Sequence, residues 1–406
     1  MMQALLNEAR GLGADLTALR RAIHAEPELG LHTPLTRDKV LAALADLPIA
    51  WRRGASTTGL VGVLRGGAAP ASGHRPTVLL RGDMDALPMP EETGLPFASR
   101  IANTMHACGH DAHTTMLVGA ARLLAARAES LPGDVLLMFQ PGEEGHHGAR
   151  FMLEDGLIDG GSGQWPDAAF ALHVMPNAPH GQVQGRAGAL MASADQIDIV
   201  VHGAGGHAST PHDSGDPIPV ACEIVGAIQA MVTRQFNAHD PVVVTIARIV
   251  SGTTHNVIPD RATMRGTMRS LSPAHRALLP ERLARLVEGI AAAHGMRAEL
   301  TVTQGFPVSI CDSRAVDLGE AVAGDLFGAG VFHRLAAPVM WAEDFSYVLE
   351  KAPGAMFFLG VAGEGADHAA CSGIHSPRMM VDEAAMPRGA ALLAGLALRF
   401  LGRGFA

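Results

Sequence analysis

Four short segments of this chain each contain a continuous apolar run, and these runs constrain its fold most strongly. They read TVLLRGDMD (77–85), DVLLMFQPGEE (134–144), AAFALHVMP (168–176) and GAMFFLGVAG (354–363). A strand that is apolar along its length is typical of a parallel sheet with both faces covered. Between the first two, residues 113–130 carry apolar side chains at helical spacing. The pattern predicts an α/β domain with a mostly parallel sheet and helices on both faces.

The middle of the chain follows a different pattern. The segment SADQIDIVVHG (193–203) alternates polar and apolar residues, as a strand with one exposed face does. The segments after it predict the order β-α-β-β-α-β, with helices at 217–235 and 273–295. We therefore expect an inserted α+β domain at 187–305 with one sheet surface facing solvent. Residues 1–186 and 306–406 would then form the main domain.

Composition limits the classes of partner. The chain has 406 residues, a net charge of −9 at neutral pH and only 4% aromatic residues. Phosphate binding favours a basic surface, and bases stack on aromatic rings, so we expect no nucleic-acid partner. The first 21 residues carry charges at helical spacing, unlike a signal peptide, and the late apolar run 389–402 is interrupted by Arg399. We expect a cytoplasmic protein that does not bind membranes.

Titratable side chains gather where the predicted strands end. In an open α/β sheet, ligands bind outside the carboxyl ends of the strands. The segment MHACGHDAHT (105–114) adds a cysteine and three histidines. Burying so many polar groups is unfavourable unless a cation compensates them, and a pair of divalent metal ions would do so. The residues near the strand ends are Asp83, Asp85, Glu143, Glu144, His173 and His375.

These residue types suit metal coordination, because thiolate, imidazole and carboxylate are the usual ligands of zinc. We predict that Cys108 bridges two ions. The further ligands would be His110, Glu144, His173 and His375. A single histidine at a strand end is more often a hydrogen-bonded surface group, so the prediction depends on the joint pattern. Four more histidines either orient ligands or are merely exposed: His106, His113, His146 and His147.

The other three cysteines are expected to be structural. Cys222 lies in an apolar helical stretch and is predicted to be in the core. Cys311 and Cys371 are also interpreted as structural.

Seven motifs occur in an order that resembles the M20 metallopeptidase superfamily: RGDMDALP, MHACGHDAH, FQPGEEGHHGA, ALHV, GGHASTPH, HNVIPD and GIHSP. The similarity extends over about residues 15–400. It is strongest to the amidohydrolase branch, which contains hippurate hydrolases, N-acyl-amino-acid amidohydrolases and indole-acetyl-amino-acid hydrolases. The resemblance implies metal-dependent hydrolysis of the amide bond in N-acyl or N-aroyl amino acids. It implies the same five ligands and two divalent ions per subunit, Zn²⁺ or Mn²⁺, with Co²⁺ or Ni²⁺ as alternatives.

The resemblance also implies roles for three carboxylates. Glu143 matches the general base, and an unligated carboxylate beside a ligand is well placed to take a proton from water. Asp85 matches a carboxylate that orients a ligand. Asp83 stands where the wider superfamily has a histidine ligand, and its role stays open.

Four residues are implied to act on the substrate. His207 matches a histidine that reaches the partner's active site in dimers and stabilises the oxyanion. Asn256 and Arg269 match residues that hold the substrate carboxylate, which the guanidinium fork suits. Gly360 matches a backbone contact to substrate. We therefore expect a homodimer, or a dimer of dimers, through a lid and dimerisation domain at 187–305 that closes over the substrate.

Two other functions remain open from the sequence. The same dinuclear site would serve a dipeptidase or another exopeptidase, although no spare carboxylate is evident for a free α-amine. A non-catalytic metal-binding or ligand-sensing protein is the second alternative.

Overall fold

The structure is a computed structural model that describes residues 2–70, 73–161 and 163–406. The chain forms two compact units. The first contains the chain up to Leu190, Ile310–Ala337 and Asp344–Ala406, and the second contains Met191–Ser309 and Pro338–Glu343.

Helices and strands occur throughout the described chain. The helices are α1 (Met2–Gly11), α2 (Gly13–His24), α3 (Pro34–Ala43), α4 (His110–Ala125), α5 (Gly148–Glu154), α6 (Pro217–Gln235), α7 (Pro273–Ala293), α8 (Ser313–Phe327), α9 (Ser346–Leu349) and α10 (Met386–Arg403). The strands are β1 (Ile49–Arg53), β2 (Leu60–Leu64), β3 (Thr77–Asp83), β4 (Asp134–Gln140), β5 (Ala168–Met175), β6 (Val183–Gly185), β7 (Gly188–Met191), β8 (Asp195–His202), β9 (Gly206–His207), β10 (Val242–Ser251), β11 (Val257–Ile258), β12 (Arg261–Ser270), β13 (Arg297–Thr303), β14 (Ser309–Cys311), β15 (Phe332–Arg334) and β16 (Gly354–Gly360).

The first unit is built on an eight-stranded sheet in the order β1-β2-β4-β3-β5-β16-β6-β15. Strands β4, β3, β5 and β16 run parallel to one another. On one side of this group β2 pairs antiparallel with β4, and β1 pairs antiparallel with β2. On the other side β6 pairs antiparallel with β16. Strands β4, β5 and β16 are buried along their whole length, so both of their faces are covered. Helices α4 and α10 pack on β3 and on each other. The predicted α/β class with a mostly parallel sheet is confirmed.

The four parallel strands are the four apolar segments of the sequence. Because they are adjacent and parallel, their carboxyl ends lie along one edge of the sheet. That edge receives the titratable residues that follow each strand.

The second unit contains an antiparallel sheet in the order β10-β12-β8-β13. Its main elements follow the predicted order β-α-β-β-α-β. Burial alternates along β8 and β12, because α6 and α7 cover one face of this sheet. The segment Pro338–Glu343 joins this unit, and there the Ala192 N–H donates to the Trp341 carbonyl at 2.8 Å.

The prediction that Cys222 lies in the core is wrong, because this cysteine is exposed. The buried stripe of α6 runs through Val220, Ala221, Ile224 and Ile228, and Cys222 points away from that stripe. Cys311 is buried, and burial raises the pKa of its thiol to about 12.

Within residues 2–70, 73–161 and 163–406, one helical segment, Glu383–Arg403, is long and apolar enough by composition to cross a membrane. It contains α10, and 78% of its most apolar window is buried inside the fold. This burial is typical of a core helix in a globular protein.

Candidate metal centre

The parallel strands deliver the predicted ligands to one edge of the first unit. Strand β4 leads into the turn Glu143–Glu144, and β5 contains His173. The loop after β16 contains His375. The backbone N–H of His375 donates to the backbone carbonyl of Ala107 at 2.7 Å. This bond fastens the His375 loop to the segment that precedes α4, so the loop and the α4 start meet at the same edge.

The five predicted ligands form two groups that share the Cys108 sulfur. One group is Cys108, His110 and His173, and the other is Cys108, Glu144 and His375. Within each group the ligand atoms all lie within 4.8 Å of one another. Cys108 Sγ is 3.3 Å from His173 Nε2, and His375 Nε2 is 3.2 Å from Glu144 Oε1. A shared sulfur is the arrangement that a thiolate bridging two ions requires.

Hydrogen bonds set the tautomers of two of the imidazoles. His110 Nδ1 donates to the Asp85 carbonyl and His173 Nδ1 donates to the Val174 carbonyl, each at 2.8 Å. In the neutral form of each ring the lone pair is therefore on Nε2. His110 Nε2 is buried and has no hydrogen-bond partner among the described residues. A buried lone pair without a partner fits a bound cation.

Two backbone conformations shape the centre. Gly109 has φ +89°, and a Cβ at this position would collide with the Cγ2 atom of Val174. His375 has φ +61°, which is uncommon for a residue with a side chain. Such a conformation is typical of functional sites whose surroundings hold it in place.

The charges of the side chains also fit a cation. Contacts with Cys108 and Glu144 raise the pKa of His375 to about 10. Burial raises the pKa of the Cys108 thiol, while His110 opposes this effect. A thiol loses its proton when it coordinates a metal ion, so the donor set fits a divalent metal with affinity for sulfur and nitrogen.

Glu143 lies beside the two groups and belongs to neither. Its Oε2 atom is 4.0 Å from His110 Nε2, and its side chain is buried. Asp85 holds the turn in place, because its carboxylate oxygens accept the N–H groups of Glu143 and Glu144 at 2.9 and 3.0 Å. Asp85 thus contacts His110 through its carbonyl and the glutamate turn through its carboxylate.

The structure places the four histidines whose roles were open. His113 lies among the ligands, and both of its ring nitrogens are hydrogen-bonded. His106 is fully buried, and burial lowers its pKa to about 3, so it is neutral. His146 is exposed, while the hydroxyl of Tyr347 lies 2.9 Å from His147 Nδ1.

A buried ion network lies beneath this edge, and the sequence analysis missed it. Arg81 is fully buried and donates to Asp83 Oδ2 at 2.5 Å and to Asp344 Oδ1 at 3.2 Å. Burial alone would raise the pKa of Asp83, but Arg81 and two histidines lower it well below its ordinary value. An arginine inside an otherwise apolar strand is a signal that could have revealed this network.

Three predicted substrate residues belong to the second unit. His207 is exposed at the end of β9, and its Nδ1 accepts the N–H of Ser209 at 3.1 Å. Asn256 is exposed, and its backbone carbonyl accepts the backbone N–H of Ala208 at 3.1 Å. Arg269 is half-buried on β12, and burial lowers the pKa of its guanidinium, which Asp195 opposes.

Gly360 ends β16 and is required by packing. Its N–H donates to the Gln182 carbonyl, and its own carbonyl accepts the N–H of Gly181, both at 2.8 Å. A Cβ at this position would collide with the Pro179 carbonyl. A contact between substrate and the Gly360 backbone is therefore limited to the second lone pair of its carbonyl oxygen.

Comparison with known proteins identifies the family of this chain. The model of the peptidase family M20/M25/M40 matches residues 79–399. The chain belongs to this family. This M20 chain is 37% identical over 384 residues to N-acetylcysteine deacetylase of Bacillus subtilis, covering 94% of the chain and 96% of the relative. It is 36% identical over 404 residues to thermostable carboxypeptidase 1 of Saccharolobus solfataricus, covering 98% and 99%.

A solved structure is also similar to this M20 chain. It is the Bacillus subtilis YXEP protein, described as a dinuclear metal-binding peptidase of the M20 family. The identity is 33%, the TM-score is 0.81, and the match covers 97% of this chain and 99% of the other. The M20 chain is thus a metal-dependent hydrolase. The prediction of an enzyme rather than a non-catalytic binding protein is confirmed.

Proposed function

We propose that this M20 hydrolase cleaves the amide bond of N-acyl or N-aroyl amino acids and releases a carboxylic acid and a free amino acid. The observation that carries the proposal is the pair of ligand groups that share Cys108, with Glu143 beside them and in neither. The ligands would be Cys108, His110, Glu144, His173 and His375. The similarity to N-acetylcysteine deacetylase supports an N-acyl amino acid as the substrate.

Glu143 acts as the general base in this proposal. Two bound divalent ions would lower the pKa of a water molecule and polarise the substrate carbonyl. Glu143 accepts the proton as this water attacks the carbonyl carbon, and then donates it to the leaving amine nitrogen. Asp85 positions Glu143 through the backbone of the turn.

The remaining roles concern the substrate. Because Ser209 donates to His207 Nδ1, the ring proton lies on Nε2, which can donate to a developing oxyanion. Arg269 and Asn256 would bind the substrate carboxylate, and the Gly360 carbonyl would contact the substrate. The half-buried environment of Arg269 strengthens such an ion pair, because screening by water is reduced there.

The metal is proposed to be Zn²⁺ or Mn²⁺, with Co²⁺ or Ni²⁺ as alternatives. Thiolate and imidazole ligands favour zinc, while the carboxylate also suits manganese. Metal analysis of the purified enzyme, followed by chelation and reconstitution with each ion, tests this proposal. We expect chelation to abolish activity.

A homodimer through the second unit is also proposed. Strand β10 lies at the edge of its sheet and exposes Val243, Ile249 and Val250. An exposed apolar edge strand is a site where a second chain can pair. His207 would then act in the partner's active site. We further propose a cytoplasmic enzyme, which the four free cysteines support.

An exopeptidase remains the second candidate, because the carboxypeptidase relative covers almost the whole chain. A panel of substrates on metal-reconstituted enzyme distinguishes the two. We expect kcat/KM for hippurate and N-acetyl amino acids to exceed kcat/KM for free dipeptides. It should also exceed kcat/KM for removal of the C-terminal residue from longer peptides. A preference for free dipeptides or longer peptides would contradict the proposal.

A further inference from the structure

His113 lies inside the metal centre without a free lone pair. Its Nδ1 donates to Asp83 Oδ1 at 2.7 Å. Its Nε2 accepts the backbone N–H of Val174 at 2.8 Å. A neutral imidazole has one donor and one acceptor nitrogen, so both are already used. To coordinate a metal, His113 would have to leave the buried N–H of Val174 unpaired, which is unfavourable.

The His113 ring contacts two of the proposed ligands. Its centroid is 4.6 Å from that of His173, in an edge-to-face arrangement, and 5.4 Å from that of His110. Val174, which His113 binds, directly follows His173. His113 therefore restrains one ligand through its backbone and both ligands through packing.

Asp83 completes this arrangement on the opposite side. One oxygen accepts from His113, and the other accepts from Arg81 at 2.5 Å. The second oxygen also lies 3.5 Å from His110 Nε2. Arg81 is in turn fixed by Gln140 Oε1 at 2.9 Å and by Asp344. Both oxygens of Asp83 are thus engaged by charged or imidazole donors within the protein.

We propose that His113 is a positioning residue which, with Asp83, holds His110 and His173 in place for metal binding and does not itself coordinate a metal. This inference rests on the proposed ligand set. It gives the buried His113–Asp83 pair a positioning role towards His110 and His173. Glu143, in contrast, is the proposed base, and Asp85 positions the glutamate turn. Groups that orient metal ligands typically change metal affinity about 10- to 100-fold when they are removed.

The test is a metal-binding titration of the wild-type enzyme and two variants. His113→Asn retains an amide donor towards Asp83 but loses the ring and the acceptor for Val174. Asp83→Asn retains an acceptor for His113 but loses the charge. We expect Zn²⁺ dissociation constants, measured by competition with a chromophoric chelator, to rise about 10- to 100-fold while two ions still bind at saturation. The visible spectrum of the Co²⁺-loaded variants should also shift.

His74→Asn provides a matched control. His74 Nε2 lies 2.9 Å from Asp167 Oδ1, and Asp167 binds the backbone of Thr77 at the other end of β3. This variant removes a second imidazole–carboxylate pair, which lies beside the first residue of β3 and away from the proposed ligands. We expect its Zn²⁺ affinity and Co²⁺ spectrum to match those of the wild type.

Three outcomes would overturn the inference. Loss of one ion at saturation in His113→Asn would make His113 a ligand. Unchanged affinity and spectrum in both variants would remove its positioning role. Failure of both metal-free variants to fold, judged by circular dichroism, would make the pair a determinant of folding instead. If the wild type bound no ions through Cys108 and its partners, the proposed ligand set itself would fail, which is a distinguishable result.

Discussion

Glu143 is the single residue on which the chemical step should depend most steeply. It is buried and held by Asp85, and it lies 4.0 Å from the unpaired His110 nitrogen. Its neighbour Glu144 shares a ligand group with Cys108 and His375, whereas Glu143 occurs only in groups without Cys108, although the two side chains are chemically identical. The two glutamates therefore provide an internal comparison between a proton carrier and a ligand.

We predict that Glu143→Ala lowers kcat by about 10²- to 10⁴-fold, because the attacking water loses its proton acceptor. Metal content should remain at the wild-type value, as measured by mass spectrometry of the dialysed protein. Glu144→Ala is the control and should lose bound metal. Turnover of Glu143→Ala at the wild-type rate would show that another group acts as the base.

At the scale of elements, a buried ion cluster joins α2 to the start of α4. Asp111, next to His110, accepts hydrogen bonds from Arg20 and His24 on α2, each at 2.7 Å. His24 Nε2 lies 3.2 Å from Glu91 Oε1. The cluster anchors the helix whose first residue is a proposed ligand.

We predict that this cluster makes stability fall at alkaline pH. Burial opposes protonation of His24, but Asp111 and Glu91 outweigh it and raise the pKa to about 9, against 6.5 for an unperturbed histidine. A histidine whose pKa is raised by folding stabilises the folded state fully below its unfolded-state pKa. This stabilisation is lost as the pH rises through the folded-state pKa. The loss between about pH 6.5 and 9.5 should be about 3 kcal/mol.

Urea unfolding at pH 6.5 and 9.5 measures this contribution. His24→Gln is the comparison, because it keeps a polar side chain at the same position and cannot titrate. The variant should be less stable at pH 6.5 and should lose less stability on going to pH 9.5. Equal pH dependence in the two proteins would place the effect elsewhere.

At the scale of the whole molecule, the proposed dimer predicts complementation between two inactive variants. Glu143→Ala retains His207, and His207→Ala retains Glu143. If His207 acts in the partner's active site, a mixed dimer contains one complete site. Random subunit exchange should then restore about a quarter of wild-type activity. Light scattering checks the mass, and mixtures that stay inactive despite exchange would contradict the trans role.

The sequence by itself determined the four parallel strands, the main elements of the second unit and the types of candidate ligand. Four apolar segments specified the parallel strands, because burial on both faces leaves a local signature along the chain. Alternation of polar and apolar residues, together with helical periodicity, likewise specified the β-α-β-β-α-β order. Cys108 and His110 stood out because they occur within a ten-residue segment rich in metal-binding side chains.

Only the tertiary structure distinguished among chemically identical side chains. His110 and His113 lie one helical turn apart, yet the first has an unpaired buried nitrogen while both nitrogens of the second are hydrogen-bonded. The partner of His113 Nε2 is the N–H of Val174, 61 positions away in the chain. The exposure of Cys222 likewise depends on the tertiary structure, because Cys222 lies outside the stripe of α6 that faces the sheet. Local sequence specifies which side chains could bind a metal. Whether an imidazole nitrogen stays unpaired depends on neighbours that only folding brings together.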